Sequence, residues 1–352
     1  MVVREFHPLR VAAVERLCDD AVAVTFDVPG ELAERYAFRP GQSLTVRRLH
    51  DGADERRTYS ICAPAGAKPR IGVREVPGGL VSSWLVHGLS AGDEVEVAPP
   101  SGTFTPELDV AGRHVLIAAG SGITPVLSIA ASLLRHPEAH VSVLYGNRRA
   151  DTVMFAEELA DLKDAYPSRL ELVHLLSREA REVELLTGRL DAGKLRVLLP
   201  LLIDVAAVDH WWLCGPFGMV TDATEVLSEQ GVEAGRIHRE LFWVDEAPPE
   251  LIRDERAPAG PSSEVTVMLD GRSTTVAVPE GDTILEGAQR SRPDLPFACK
   301  GGVCGTCRAR VVEGEVVMRR NFALEPAEVA AGFVLTCQST PTTAKVTVDF
   351  DD

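Results

Sequence analysis

Cys299-Lys300-Gly301-Gly302-Val303-Cys304-Gly305-Thr306-Cys307 packs three thiols into one loop, and Cys337 adds a fourth farther along. The spacing C-x4-C-x2-C followed by a distant cysteine is the plant-type [2Fe-2S] pattern: a glycine-rich loop supplies three ligands and a remote segment the last. A cluster gains negative charge on reduction, and Gly301, Gly302 and Gly305 let backbone N–H groups turn toward it with no Cβ in the way. Zinc would read as two C-x2-C pairs, of which only one is present. A disulfide framework belongs to small secreted chains. Cys299, Cys304, Cys307 and Cys337 are therefore the expected cluster ligands.

Outward from this loop the pattern is that of a small β-rich domain over residues 263–352. Val265–Leu269 and Thr274–Val278 flank Asp270-Gly271, a two-residue hairpin signal. Thr283–Ser291 has helical spacing with Asp282 or Thr283 at its start, and Val311-Val312 and Val346–Val348 add strands. This is the outline of a β-grasp ferredoxin domain. Upstream, Pro248, Pro249, Pro258 and Pro261 stand among charges with too little apolar content for a core, so 246–262 reads as a linker. As a random coil it would span roughly 20–25 Å, enough to let the ferredoxin domain reach a neighbour.

Residues 109–245 alternate strand and helix patterns, which predicts a doubly wound parallel α/β sheet. The first strand, His114–Ala119, runs into Gly120-Ser121-Gly122-Ile123-Thr124-Pro125, and helical spacing follows over Val126–Arg135. Pro125 stands where the dinucleotide fingerprint has its third glycine, yet proline suits a first helical turn and the strand-loop-helix context suits a pyrophosphate. An ordinary βα turn is the plain alternative. Cys214-Gly215-Pro216 ends a later strand, where ligands of such sheets gather, although a lone Cys214 reads as a buried thiol. Arg148, Arg149, Arg178 and Arg189, with Ser177, are candidates for a 2'-phosphate, which favours NADPH while leaving NADH open; surface arginines paired to nearby acids are the alternative.

The first 108 residues carry period-2 runs such as Val22–Val28 and Ser43–Val46, punctuated by Pro29-Gly30 and Pro40-Gly41, and predict an antiparallel β-barrel. Alternation puts Arg57 and Tyr59 of Arg57-Thr58-Tyr59-Ser60 on one face, a cation beside a flat ring; an exposed arginine next to a core tyrosine reads equally well. Gly79-Leu80-Val81-Ser82 opens a short helix whose free N–H groups suit a diphosphate, although Ser82 alone could be a simple cap. Together the two segments suit a flavin dinucleotide, with Arg74 completing the flavin-binding set.

These motifs resemble the ferredoxin-NADP reductase family. Its R-x-Y-S falls on Arg57, Tyr59 and Ser60, its G-x-x-S-x-x-L on Gly79, Ser82 and Leu85, its G-x-G-x-x-P on Gly120, Gly122 and Pro125, and its C-G-P on Cys214–Pro216. Glu240-Leu241-Phe242 matches E-x-aromatic, with phenylalanine replacing the terminal tyrosine of plant enzymes. The resemblance implies a six-stranded FAD barrel, with Tyr59 stacked on the isoalloxazine, Ser60 near its N5 and Arg57 on the pyrophosphate. It also implies Cys214 against the nicotinamide, Phe242 near the flavin ring, and Ser60, Cys214 and Glu240 as the catalytic set.

Over nearly its whole length the chain is similar to a narrower family, the reductase subunits of phenylacetyl-CoA epoxidase complexes. The similarity rests on Arg57–Cys62, Tyr145-Gly146-Asn147-Arg148, Ala298–Cys304, Leu324-Glu325-Pro326 and Cys337-Gln338. It implies electron flow from NADPH through FAD and [2Fe-2S] to a separate di-iron oxygenase. Reductases of steroid or aromatic-ring hydroxylases share the layout and remain alternatives, as does a redox-sensing cluster protein.

Composition sets the outer bounds. The chain has 352 residues and a net charge of −16, which argues against a nucleic-acid partner. Met1–Arg10 lacks a signal-peptide pattern, and the apolar run Val197–Val208 is too short for a membrane span and contains Asp204. The expectation is a cytoplasmic protein with reduced thiols, Cys18, Cys62 and Cys214 among them.

Overall fold

The structure is a computed structural model describing residues 6–50, 53–243, 262–324 and 326–352. It divides into two compact units, one over Phe6–Trp243 and the other over the C-terminal residues described from Ser262 onward. The expected linker, 246–262, lies outside the described residues except for its last position, Ser262, which already begins a strand.

In the first unit, six strands make an antiparallel sheet: β1 His7–Cys18, β2 Ala21–Asp27, β3 Ser43–His50, β4 Ala53–Ser60, β5 Arg70–Arg74 and β6 Glu94–Val97, in the order β4-β3-β6-β1-β2-β5. The outer strands meet where Ile61, just past β4, bridges Ile71 of β5, and the Cys62 N–H donates to the Arg70 carbonyl at 2.8 Å. That closes the sheet into the expected barrel. Its alternating inward residues, among them Phe26, Leu44, Ile61 and Ile71, are fully buried, with Leu85 of helix α1 (Leu80–His87) plugging one end. Truncating one of these to alanine would cost about 2–5 kcal/mol.

Five parallel strands follow, β7 Arg113–Ala119, β8 His140–Asn147, β9 Leu170–Leu176, β10 His210–Pro216 and β11 Ile237–Trp243, ordered β9-β8-β7-β10-β11. Between them lie α2 Ile123–Leu133, α3 Ala156–Ala165, α4 Ala192–Leu202 and α5 Phe217–Glu229. The order reverses between β7 and β10, so their carboxyl ends flank the crevice where ligands of such sheets bind. Helix α2 starts three residues before the apolar periodicity suggests, because Ile123, Thr124 and Pro125 are themselves buried in its first turn. Asp191 caps α4 by accepting from the Lys194 N–H at 2.9 Å.

Barrel and α/β sheet form one unit because polar and apolar contacts cross the expected boundary at 108/109. Ser128 Oγ donates to the Ala63 carbonyl at 2.6 Å, Ser132 Oγ accepts from Ala65 N–H at 2.9 Å, and Arg70 grips Glu158 with two bonds of 2.9 Å. Ala21, Ala23 and Cys62 share a core with α2.

The second unit orders β13 (Arg272–Pro279), β12 (Ser262–Leu269), β18 (Lys345–Asp349), β14 (Arg308–Glu313) and β16 (Phe333–Leu335) in one sheet, with β12 and β18 parallel and the other neighbours antiparallel. A two-stranded ribbon joins β15 (Val316–Met318) to β17 (Ser339–Pro341), and α6 (Ile284–Gln289) and α7 (Pro326–Ala330) complete it. The hairpin turn is Asp270-Gly271, at φ 56° and 69°, as a two-residue primed turn requires. Thr283 caps α6 in a reciprocal box with Glu286. No helix among the described residues is long and apolar enough to cross a membrane.

Candidate functional site

The crevice of the first unit is built by register. Cys214 of β10 lies between Ala118 of β7 and Glu240 of β11, which brings the carboxylate to the thiol. From the barrel, Ser60 at the end of β4 reaches the same point. Its Oγ donates to Glu240 Oε2 at 3.2 Å, and Cys214 Sγ lies 3.9 Å from that oxygen. Burial and then the neighbouring Glu240 charge push the Cys214 thiol well above its ordinary pKa, so it stays protonated at neutral pH. The three residues expected to be catalytic, separated by up to 180 positions in sequence, thus share one carboxylate oxygen.

Phe242, two residues beyond Glu240, is half-buried against the core of the α/β sheet. Tyr59 is also half-buried and packs at the barrel core's margin; burial raises its hydroxyl pKa, so the ring is neutral. Its neighbour Arg57 is exposed, 3.2 Å from Glu55 and donating to the Arg56 carbonyl at 2.7 Å. Thr58 faces away, with its Oγ1 3.2 Å from that of Thr45. Arg74 is engaged at the seam of the unit, 3.3 Å from Asp20 and hydrogen-bonded to the Thr152 carbonyl.

At α1 the cap is Gly79, so the plain alternative of Ser82 as a simple cap does not hold. Ser82 is buried inside the first turn, where its Oγ accepts from the Val76 N–H at 3.1 Å and donates to the Gly79 carbonyl at 3.3 Å. Its hydroxyl therefore shapes the entering loop. Any anion here would be met by the backbone N–H groups of Leu80, Val81 and Ser82, which a helix start leaves unpaired within the helix.

The loop after β7 coils Gly120–Gly122 into a tight turn ahead of α2. Thr124 Oγ1 donates to the Ser121 carbonyl at 2.8 Å, and Tyr145 Oη donates to the Gly120 carbonyl at 3.0 Å. Tyr145 is a loop-holding residue that its sequence did not single out for a role; the signal was a large aromatic hydroxyl in a fully buried strand, which needs a partner. A Cβ at Gly122 would sit 2.1 Å from the Cys214 carbonyl oxygen, so only glycine fits, and the loop lies directly against the Cys214-Gly215-Pro216 segment. The two glycine-bearing segments form one wall of a cradle, as a bound dinucleotide needs.

Arg148 and Arg178 follow β8 and β9, and the Arg178 N–H donates to the Arg148 carbonyl at 2.8 Å, which ties the two loops together beside Ser177. Arg148, Arg178 and Arg189 are exposed and form no ion pair among the described residues. Arg149 is taken by Asp151, with bonds of 2.7 and 3.1 Å, so the paired-surface reading fits that arginine.

In the second unit the four ligand candidates come together as two pairs. Cys299 neighbours Cys304, and Cys307 neighbours Cys337. In each pair the neighbouring thiol holds one member, Cys299 and Cys337, below its ordinary range and raises the other, Cys304 and Cys307. No three His, Cys, Asp or Glu side chains among the described residues are placed to share a single ion. Two pairs suit two irons, each taking two thiolates. The Gly301 N–H points to Cys299 Sγ at 3.3 Å, in keeping with a loop that solvates sulfur by backbone.

Comparison with known proteins agrees with this geometry. Residues 8–105 match the oxidoreductase FAD-binding domain family, 116–225 the oxidoreductase NAD-binding domain family and 267–342 the 2Fe-2S iron-sulfur cluster binding domain family. One subunit of the 1,2-phenylacetyl-CoA epoxidase of Escherichia coli (strain K12) is 42% identical over 98% of this chain and 98% of its own. The ferredoxin reductase component of 3-ketosteroid-9-alpha-monooxygenase from Rhodococcus rhodochrous is 33% identical over 97% of this chain and 96% of its own. Among solved structures, phthalate dioxygenase reductase shares the fold, with a TM-score of 0.60 at 24% identity over 98% of both chains. With its FAD-binding, NAD-binding and [2Fe-2S] domains in this order, the chain belongs to the ferredoxin-NADP-reductase-type oxygenase reductases, in the family of that 1,2-phenylacetyl-CoA epoxidase component.

Proposed function

We propose that the chain draws electrons from NADPH and delivers them to the di-iron oxygenase component of a 1,2-phenylacetyl-CoA epoxidase. The observation that carries this reading is the 42% identity to the Escherichia coli epoxidase component over 98% of both chains, against 33% for the ketosteroid monooxygenase reductase. When bound, a flavin takes an electron pair from a reduced nicotinamide and passes single electrons to a [2Fe-2S] centre.

Tyr59 offers its ring to the flavin, and the N–H groups at the start of α1 hold the flavin's diphosphate. Ser60 keeps its hydroxyl proton directed at Glu240 Oε2, which leaves the Oγ lone pairs free to accept from a ring N–H. Glu240 sets the position of both Ser60 and Cys214. The neutral Cys214 thiol forms a small, uncharged wall for the nicotinamide, and Gly120–Pro125 cradles its pyrophosphate. Arg148, Arg178 and Arg189 supply exposed guanidinium groups for a 2'-phosphate, the reason to favour NADPH over NADH. The two thiol pairs hold the irons. A cytoplasmic location suits a reductase that draws on NADPH.

The test is electron delivery to purified acceptors. Faster NADPH-dependent turnover with the phenylacetyl-CoA epoxidase oxygenase than with a ketosteroid or aromatic-ring oxygenase supports the assignment, and the reverse ranking overturns it. Cofactors bound without steady reduction of a one-electron dye would favour a sensor.

A further inference from the structure

Gln338 follows the last ligand and is 7% exposed, a long polar side chain in the interior of the second unit. Its amide Nε2 donates to the Lys300 carbonyl at 2.8 Å and to the Cys337 carbonyl at 2.9 Å, and lies 3.7 Å from Cys337 Sγ. Its main chain is engaged as well: the N–H donates to the Leu335 carbonyl and the carbonyl accepts from the Arg319 N–H, both at 2.8 Å. One side chain thus links the loop that carries Cys299, Cys304 and Cys307 to the remote segment that carries Cys337.

Two features of the loop are built around this link. Lys300 is in the left-handed region at φ 51°, unusual for a residue with a Cβ. Gly302, at φ 80°, abuts the Gln338 stem; a Cβ there would lie 3.0 Å from Gln338 Cγ. A side chain at 302 would crowd that stem and strain the backbone as well.

We propose that Gln338 is a positioning residue for the iron-sulfur centre, fixing the three-cysteine loop against Cys337 and stabilising the Cys337 thiolate by an N–H···S contact. Hydrogen bonds to ligand sulfur stabilise the more negative, reduced state and so raise the potential. The inference rests on the four cysteines holding a [2Fe-2S] cluster, and it adds a role for a residue that supplies no ligand atom.

The test uses the full-length protein with Gln338→Leu, which removes both polar atoms without adding charge, and Gln338→Glu, which removes the donor and adds a negative charge and so should lower the potential further. In anaerobically reconstituted protein, both variants should lower the cluster midpoint potential and alter the EPR signal of the reduced state, with FAD content and the rate of flavin reduction by NADPH unchanged. In metal-free protein, amide exchange at Gly301 and Gly302 should speed up by about tenfold, the loss expected when a hydrogen bond of about 1.4 kcal/mol goes. Gln338→Asn, which keeps the amide on a stem one carbon shorter, should move the potential in the same direction and covers the case in which the other Gln338 variants fail to fold. Iron-loaded variants with wild-type potential, EPR signal and exchange would overturn the role of Gln338 alone. Wild-type protein that binds no iron and sulfide would instead overturn the cluster reading beneath it.

Discussion

The thiol centre of the second unit and the Ser60–Cys214–Glu240 group of the first are assembled in opposite ways. Three of the four thiols come from one nine-residue segment, so sequence alone brings them near each other, and the fold has only to deliver Cys337. Ser60, Cys214 and Glu240 come from three separate strands, and only barrel closure, sheet register and the docking of the two sheets bring them to one oxygen. The first centre depends on what binds it; the second is already hydrogen-bonded within the protein. Damage to the first should therefore remove one function outright, whereas damage to the second should grade with distance from the shared carboxylate.

The sharpest break is Cys304→Ser. Electron delivery to any acceptor beyond the flavin should fall to background, while stopped-flow bleaching of the flavin by NADPH keeps its rate. Equal loss of both would mean that the two centres are not separable. Next, Glu240→Gln should slow flavin bleaching by about 100-fold with flavin content intact, the cost of a misplacement of about 1 Å at the reacting groups. A wild-type rate would reduce the shared oxygen to a structural contact. Farther out, Arg178→Ala should raise the KM for NADPH about tenfold, the loss of one charge-assisted bond, and leave that for NADH in place. An equal rise for both would remove the phosphate role.

The smallest effect is on stability. His114, His210 and His238 lie on adjacent strands, with His210 3.1 Å from His238 and Trp212 stacked on His238 at 4.1 Å. Burial, then the charge of His210, pulls both His114 and His238 down to about 4. The folded state therefore prefers neutral rings, and the unfolded chain, titrating near 6.5, binds more protons in between. Stability from this source is complete above about pH 6.5 and drains as pH falls toward 4. Thermal melts across that window should show the first unit losing stability, with a flatter profile in His238→Phe; parallel profiles would reject the linkage.

How much could be read without coordinates follows the same division. The ferredoxin-like tail was legible because contiguous spacing, the Asp270-Gly271 turn and the Thr283 cap are local signals. The parallel sheet was legible in its strand-helix rhythm, although α2 started earlier than its periodicity suggested because its first turn is buried on all sides. Ser60, Cys214 and Glu240 were legible only through family resemblance, since no local pattern records a register between distant strands. The cap alternative for Ser82 could not be settled from sequence because serine in a first turn serves as readily inside the helix as before it. Gln338 gave no local sign, and Tyr145 only that a buried hydroxyl needs a partner, because a polar group's value in a core depends on which carbonyl it meets.

Gly122 has a longer reach than its size suggests. With no room for a methyl group between its backbone and the Cys214 carbonyl, the loop proposed to cradle the coenzyme's diphosphate and the segment proposed to wall its reactive ring can drift only together. The arginine rim that would grip the far end hangs on separate loops. Natural variation can thus retool coenzyme choice at that rim without retuning the inner end, much as a handle can be exchanged while the blade stays ground to the same edge.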